Sequence, residues 1–307
     1  MSSSYRTQGG TGPALSRRRF VGLAGLTAGL AALTQTGCAE ALFSTELAGA
    51  AGASADGASD ADDATTIRFG CEAAFAPYEW RQDDETDYTL PIDNAPGTYV
   101  DGFDIQLMKL IAEHMDREPV VIDMSFDGLI AALNAGQFDA VIAGISATEE
   151  RKQAVDFSHP YLKSDIGILM SRSSQYADAE SLEDLSGASI IAQKGSIQDA
   201  AIDQIPGVHH MDPANSVPDA ITRLMQGTLD GVAIDLLNSN IYEEQYPDYT
   251  VVRFASGKGF AENPGASVAV AKGDPRGILD AINEVIDSLS DEERQQIWDD
   301  ASDRIPE

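Results

Sequence analysis

From residue 66 to the C-terminus, short apolar runs alternate with stretches in which apolar residues return every three or four positions. Residues 67–70 (IRFG) read as a strand that leads into a loop marked by Pro77. A polar stretch with two prolines, residues 81–99, interrupts the pattern. In 102–115 Ile105, Leu107, Met108, Leu110 and Ile111 fall on one helical face, with Asp104 as the expected N-cap. Residues 119–124 (PVVIDM) read as a strand, and 126–144 as a helix capped by Asp127 and stopped by Gly136 that passes into a strand. Ile278, Ile282, Ile286 and Leu289 recur at helical spacing near the end, which core packing explains. Strands alternating with helices predict an α/β fold.

One pattern occurs twice. Leu133–Val141 and Leu224–Val232 share a helix end, a glycine stop, an aspartate two residues after that glycine's follower, and a buried strand. Two copies this far apart are no solenoid; they suggest two lobes on similar plans, although any helix–glycine–strand junction looks alike. Residues 164–171 and the glycine-rich 253–267, with Gly257 and Gly259 as candidate hinges, are where the chain would cross between lobes.

The first 65 residues read differently. Arg17, Arg18 and Arg19 precede a weakly apolar Gly/Ala/Leu stretch that ends at Cys38, the architecture of an export signal over 1–38. Ser16–Phe20 resembles the twin-arginine motif, and Cys38 after Gly37 resembles the acylated cysteine of bacterial lipoproteins, with Gln35 where that motif carries an aliphatic residue. A membrane-spanning helix needs about 20 predominantly apolar residues, and this stretch is too short and too rich in Gly and Ala. Residues 39–65, mostly Ala, Gly, Ser and Asp, offer too little apolar area to order themselves and read as a flexible tether.

Lys and Arg number 20 against 50 Asp and Glu, a net charge of −30. Such a surface repels phosphate backbones and anionic lipids, which argues against nucleic-acid binding. Cys38 and Cys71 are too few for a disulfide framework, and neither they nor the adjacent His209 and His210 have metal-ligand spacing, so no metal or cofactor is expected.

In open α/β sheets ligands sit beyond the carboxyl ends of the strands. The residues there are Glu72 and Phe75 after the first strand, Gly144, Ser146 and Thr148–Arg151 after 139–143, Gly195 and Ser196 after 188–192, and Asp235 after 231–234. Arg151 on the first turn of a helix, with Thr148 as its cap, opposes the helix dipole, a cost that an external anion would offset. A guanidinium on one side and a carboxylate on the other suit a small zwitterion.

At these residues the chain resembles the extracellular solute-binding proteins of amino-acid ABC transporters, of the periplasmic-binding-protein type 2 fold. The segments GCEAAFAPYEW, VDGFDIQLMKLIAEHM and FDGLIAALNAGQFDAVIAGISATEERKQAVDFSHPY carry the resemblance, which spans roughly residues 66 to 300. It implies a two-lobed α/β molecule with a cleft between lobe 1 (66–163 and 257–307) and lobe 2 (164–256). It further implies a free L-amino acid as ligand, a membrane permease as partner, a monomer, and an exported, lipid-anchored location. By the same resemblance Arg151 binds the α-carboxylate with Ser146 and Ser196 as further donors, Asp235 takes the α-ammonium, Phe75 and Phe126 sandwich the ligand, and Glu72 faces its side chain. Ile197 stands where relatives often carry a hydroxyl, and the insertion after Trp80 lengthens a loop expected near the pocket. The rival is a cleft enzyme of the same fold, such as a cyclohexadienyl- or arogenate-type dehydratase, with Glu72 as general acid or base.

Overall fold

Alternate residues along the strands are apolar on both faces, so each main sheet must be covered on both sides. In the structure, a computed structural model that describes residues 65–261 and 263–306, two such sheets form. The export signal (1–38), Cys38 and nearly all of the expected tether lie outside the described residues.

In spatial order the first sheet is Glu118–Asp123, Thr66–Cys71, Ala140–Val141, Ala266–Ala271 and Val155–Leu162. The second is His209–His210, Ser189–Ile191, Gly231–Asp235, Ile166–Ser171 and Tyr249–Val252. In both, the first three strands run parallel and the fourth antiparallel to the third. The repeated sequence pattern occupies the same place in each plan. Gly136 (φ +73°) and Gly227 (φ +70°) end the helices Leu129–Asn134 and Val217–Met225 in the left-handed region where glycine is unstrained. Asp139 Oδ2 then accepts from Arg68 N at 2.9 Å, and Asp230 Oδ2 from Ser189 N at 2.8 Å, each locking the third strand to the second.

One core, including Phe69, Phe103, Met108, Ile142, Val268, Ile282 and Trp298, fills the first lobe. In the second lobe alternate strand residues feed two cores, Ile168 and Ile190 on one face, Leu169 and Ile191 on the other. A small third sheet of Ala74–Phe75, Glu79–Gln82, Tyr99–Asp101 and Leu90–Pro91 carries the chain over the first lobe.

The chain passes between lobes twice, at 162–166 and again before 266. The second crossing lies later than the boundary at residue 257 expected from the sequence, because Phe254 and Phe260 pack in a second-lobe core and Lys258 O accepts from Leu182 N at 3.2 Å. Gly265 is the glycine at that crossing. Its φ is +93°, and a Cβ there would meet Leu162 O at 2.8 Å, so the two crossings run in contact.

Two expected caps are otherwise engaged. Asp104 is fully buried in the first turn of the helix Phe103–His114, its carboxylate turned to Gly144 N, and Asp127 pairs with Lys194 at 2.7 Å. The helix Arg151–Ala154 is a single turn, with Thr148 Oγ1 accepting from Arg151 N at 3.2 Å. One turn sums few peptide dipoles, so the cost of placing Arg151 there comes from burial instead.

Candidate functional site

The carboxyl ends of the parallel strands in both sheets meet across one cleft. Phe75, Phe126, Gly144, Ser146 and Arg151 line it from the first lobe, Ser196 and Asp235 from the second. Each follows a strand or opens a helical turn, where the backbone leaves the sheet and side chains are free to converge.

Arg151 is the cation of the cleft. Its Nη1 donates to Ser146 O at 2.8 Å and its Nη2 to Gly195 O, in the other lobe, at 2.9 Å; its Cζ lies 5.6 Å from the centre of the Phe126 ring. Two of five guanidinium donors thus go to neutral carbonyls, and among the described residues no carboxylate lies within ion-pair distance. Burial pushes its pKa down to about 10. A cation so placed is under-compensated and favours an incoming anion.

Asp235 ends the strand Gly231–Asp235. Its Oδ1 accepts from Ser164 Oγ at 2.5 Å and Leu237 N at 2.9 Å, while Oδ2 is 3.5 Å from the Tyr78 hydroxyl of the first lobe. Oδ1 thus does the work of a helix cap and Oδ2 is the less committed oxygen. Burial raises the carboxyl to about 6, and a cation beside it would reverse that shift.

The aromatic wall has depth. Phe75 stacks on Tyr78 with centroids 4.8 Å apart and an 8° interplanar angle, and Tyr78 meets Trp298 edge-on at 4.9 Å. Gly144, at φ +56°, leaves room for Phe75, whose Cε1 would lie 3.0 Å from a Cβ there. Ser196 Oγ accepts from Asp199 N at 3.1 Å as the cap of the helix Ile197–Ile202.

Glu72 is placed one layer back. It is absent from the cleft wall; Gln193, which is part of that wall, donates to its Oε2 from Nε2 at 2.5 Å across the lobe boundary. Burial raises Glu72 to about 7. Gln193, Ser164 and Tyr78 escaped the reading of the sequence. Gln193 stood two residues before the chosen Gly195, while Ser164 and Tyr78 reach Asp235 only through the three-dimensional fold. The insertion after Trp80 lies away from the cleft. Gln106 and Lys109 donate to Tyr88 O and Asp87 O, both at 2.7 Å, which binds the insertion to the helix Phe103–His114, and Arg304, just after the helix Asp291–Ser302, stacks on the Tyr88 ring at 4.1 Å.

Several bonds cross the cleft: Arg151 to Gly195, Gln193 to Glu72, Lys194 to Asp127, and Asn238 Nδ2 to Ala76 O at 3.2 Å. The lobes are therefore closed on one another. Among the described residues no group of His, Cys, Asp and Glu could hold a metal ion, and no helix is long and apolar enough to cross a membrane.

Comparison with known proteins agrees with this architecture. The L-arginine-binding protein of Pseudomonas aeruginosa is 28% identical over 230 residues, 73% of this chain and 82% of that protein. A crystal structure of the substrate-binding protein of an amino acid ABC transporter superposes with a TM-score of 0.65 at 32% identity, covering 76% of this chain and 98% of that one. An amino acid ABC transporter substrate-binding protein from Streptococcus pneumoniae bound to L-arginine gives a TM-score of 0.66 at 26% identity, covering 78% and 94%. Residues 67–300, the two lobes and the cleft between them, match the bacterial extracellular solute-binding proteins, family 3, and the chain belongs to that family of binding proteins, not to the enzymes that share its lobes.

Proposed function

We propose that the protein captures a free L-amino acid, with preference for a cationic side chain, and delivers it to the permease of an ABC transporter. The observation that carries this reading is the half-buried Arg151 guanidinium, with no carboxylate partner among the described residues, in the same cleft as the buried Asp235 carboxylate. The free donors of Arg151 take the α-carboxylate as a fork, with Ser146 and Ser196 beside it, and Asp235 Oδ2 takes the α-ammonium. Phe75 and Phe126 cover the aliphatic part of the ligand. The Glu72–Gln193 pair supplies a carboxylate and an amide toward its far end, the chemistry that suits a guanidinium or ammonium. Relatives that bind arginine support this choice of side chain.

The clamp residues come from both lobes, so binding and closure are coupled. The same reading makes the protein a monomer, exported by its N-terminal signal and held at the membrane surface through acylated Cys38. Calorimetric titration with the common amino acids, followed by mass spectrometry of the recovered ligand, tests it: a cationic amino acid should bind tightest and return unchanged. Tight binding confined to ligands lacking either the α-carboxylate or the α-ammonium would overturn it.

A further inference from the structure

Behind the cleft wall lie two buried acids that are not part of its lining. Glu79, in the strand Glu79–Gln82, and Asp104, in the first turn of Phe103–His114, are both 0% exposed. The two elements approach closely because Gly102 has no side chain; a Cβ there would lie 2.1 Å from Tyr78 O. Asp104 N donates to the same Tyr78 O at 2.9 Å. Asp104 Oδ2 accepts from Gly144 N at 2.8 Å and from the Tyr161 hydroxyl at 2.9 Å. Both oxygens of Glu79 and Oδ1 of Asp104 find no donor on any other residue, and the two carboxyls are within hydrogen-bonding reach of each other.

Two adjacent buried carboxylates cannot both be ionised, and a proton between them satisfies the orphaned oxygens. The charges acting on Glu79 come from Asp104, Glu72 and Asp123, all acidic, and Cys71, Tyr78 and Tyr161 around the pair carry no positive charge. We propose that Glu79 is a positioning residue held as the neutral acid, donating its proton to Oδ1 of Asp104, so that Asp104 keeps Oδ2 on the Gly144 N–H and the Tyr161 hydroxyl and fixes the cleft wall at Gly144. Burial, then Asp104, pushes Glu79 well above the usual carboxylate range, in keeping with this.

An acid protonated in the folded chain and ionised in the unfolded one contributes stability that is complete below the unfolded value and is lost as pH rises toward the folded one. Urea denaturation of the ligand-free chain, parent against Glu79→Gln, reads this directly. The amide donates as the acid does but cannot titrate. From about pH 5 to about pH 8 the parent's unfolding constant should rise against that of the variant by up to about tenfold per pH unit. Parallel profiles, or a Glu79→Gln chain that does not fold, would overturn the proposal. Infrared spectra of the folded parent at about pH 8 should show a protonated-carboxyl band that Glu79→Gln lacks; its absence would overturn it too.

The positioning role rests on the reading of the cleft as an amino-acid site and is read with L-arginine. Glu79→Leu, which cannot donate, should weaken binding by about tenfold, the scale of one net hydrogen bond, and the conservative Glu79→Gln should restore most of it. Equal weakening by both substitutions, or by neither, refutes the positioning role. If the parent itself ignores every amino acid while the two denaturation profiles diverge, the amino-acid reading fails and the carboxyl pair stands.

Discussion

Replacing Arg151 by alanine separates binding from folding. In the folded chain the substitution removes two charged hydrogen bonds, to Ser146 O and Gly195 O, each worth about 1.5–3 kcal/mol. It also removes a half-buried cation with no carboxylate partner among the described residues, whose partial desolvation is a cost, as the lowering of its pKa to about 10 records in direction. The two contributions oppose each other, so the variant should differ from the parent by no more than about 2 kcal/mol in stability. Binding has no such offset. Truncating one member of a desolvated, hydrogen-bonded charge pair costs about 2–5 kcal/mol, or about 30- to 5,000-fold in affinity. Thermal denaturation with and without ligand measures both quantities. At about 100 times the parent's Kd a ligand adds about 2.7 kcal/mol to the parent, and a variant weakened about 100-fold gains only about 0.4 kcal/mol at the same concentration. Arg151→Lys should fall between, keeping the charge and losing the fork. Undiminished ligand stabilisation of Arg151→Ala would show that the guanidinium does not hold the carboxylate.

Three further outcomes are expected. Asp235 is raised to about 6 and must be ionised to take an ammonium, so affinity should fall by up to about tenfold per unit as pH drops below about 6, and Asp235→Asn should bind weakly at every pH; a flat calorimetric profile from about pH 5 to about pH 8 would refute this. Glu72, raised to about 7, is half protonated near neutrality, so a cationic ligand should expel about half a proton there where leucine expels none from it; calorimetry in buffers of different ionisation enthalpy counts those protons, and equal release in Glu72→Gln would exclude Glu72 as their source. Gly265→Ala puts a Cβ at φ +93° and 2.8 Å from Leu162 O, and should lower stability by about 1–3 kcal/mol in denaturant titration; an unchanged midpoint would show that the second crossing has slack.

Sequence periodicity carried the fold a long way because the two lobes use the same local devices. The helix expected over 102–115 is Phe103–His114, and the strand expected at 67–70 lies within Thr66–Cys71. The doubled Gly-x-x-Asp pattern marks the third strand of both sheets, since only glycine ends the helix without strain and the aspartate ties the strand to its neighbour. Capping was misread where a polar side chain had a distant partner. Asp104 looked like a cap because caps are local, whereas its Oδ2 serves Gly144, forty residues on, and Tyr161. The cleft residues at strand ends were legible from the general position of ligands in α/β sheets. Gln193 and Ser164 were not, because their roles depend on how the second lobe meets the first.

On the proposed reading, selectivity is expected to follow from charge inside the cleft more than from the charge outside it. A net charge of −30 attracts cations at long range, yet at physiological ionic strength that field is screened within about 8 Å and acts mainly on encounter. Inside, Arg151 and Asp235 both line the cleft, and Glu72 stands one layer back behind Gln193. A zwitterion cancels against Arg151 and Asp235 and leaves Glu72 as the deciding group. A cationic side chain neutralises it; an apolar one leaves it to hold its proton, as its value of about 7 already permits; an anionic one adds a second negative charge where burial has made the first unfavourable. On the proposed reading, rejection of acidic ligands and tolerance of neutral ones are expected to arise from a single carboxyl, which Gln193 holds by a hydrogen bond behind the cleft wall.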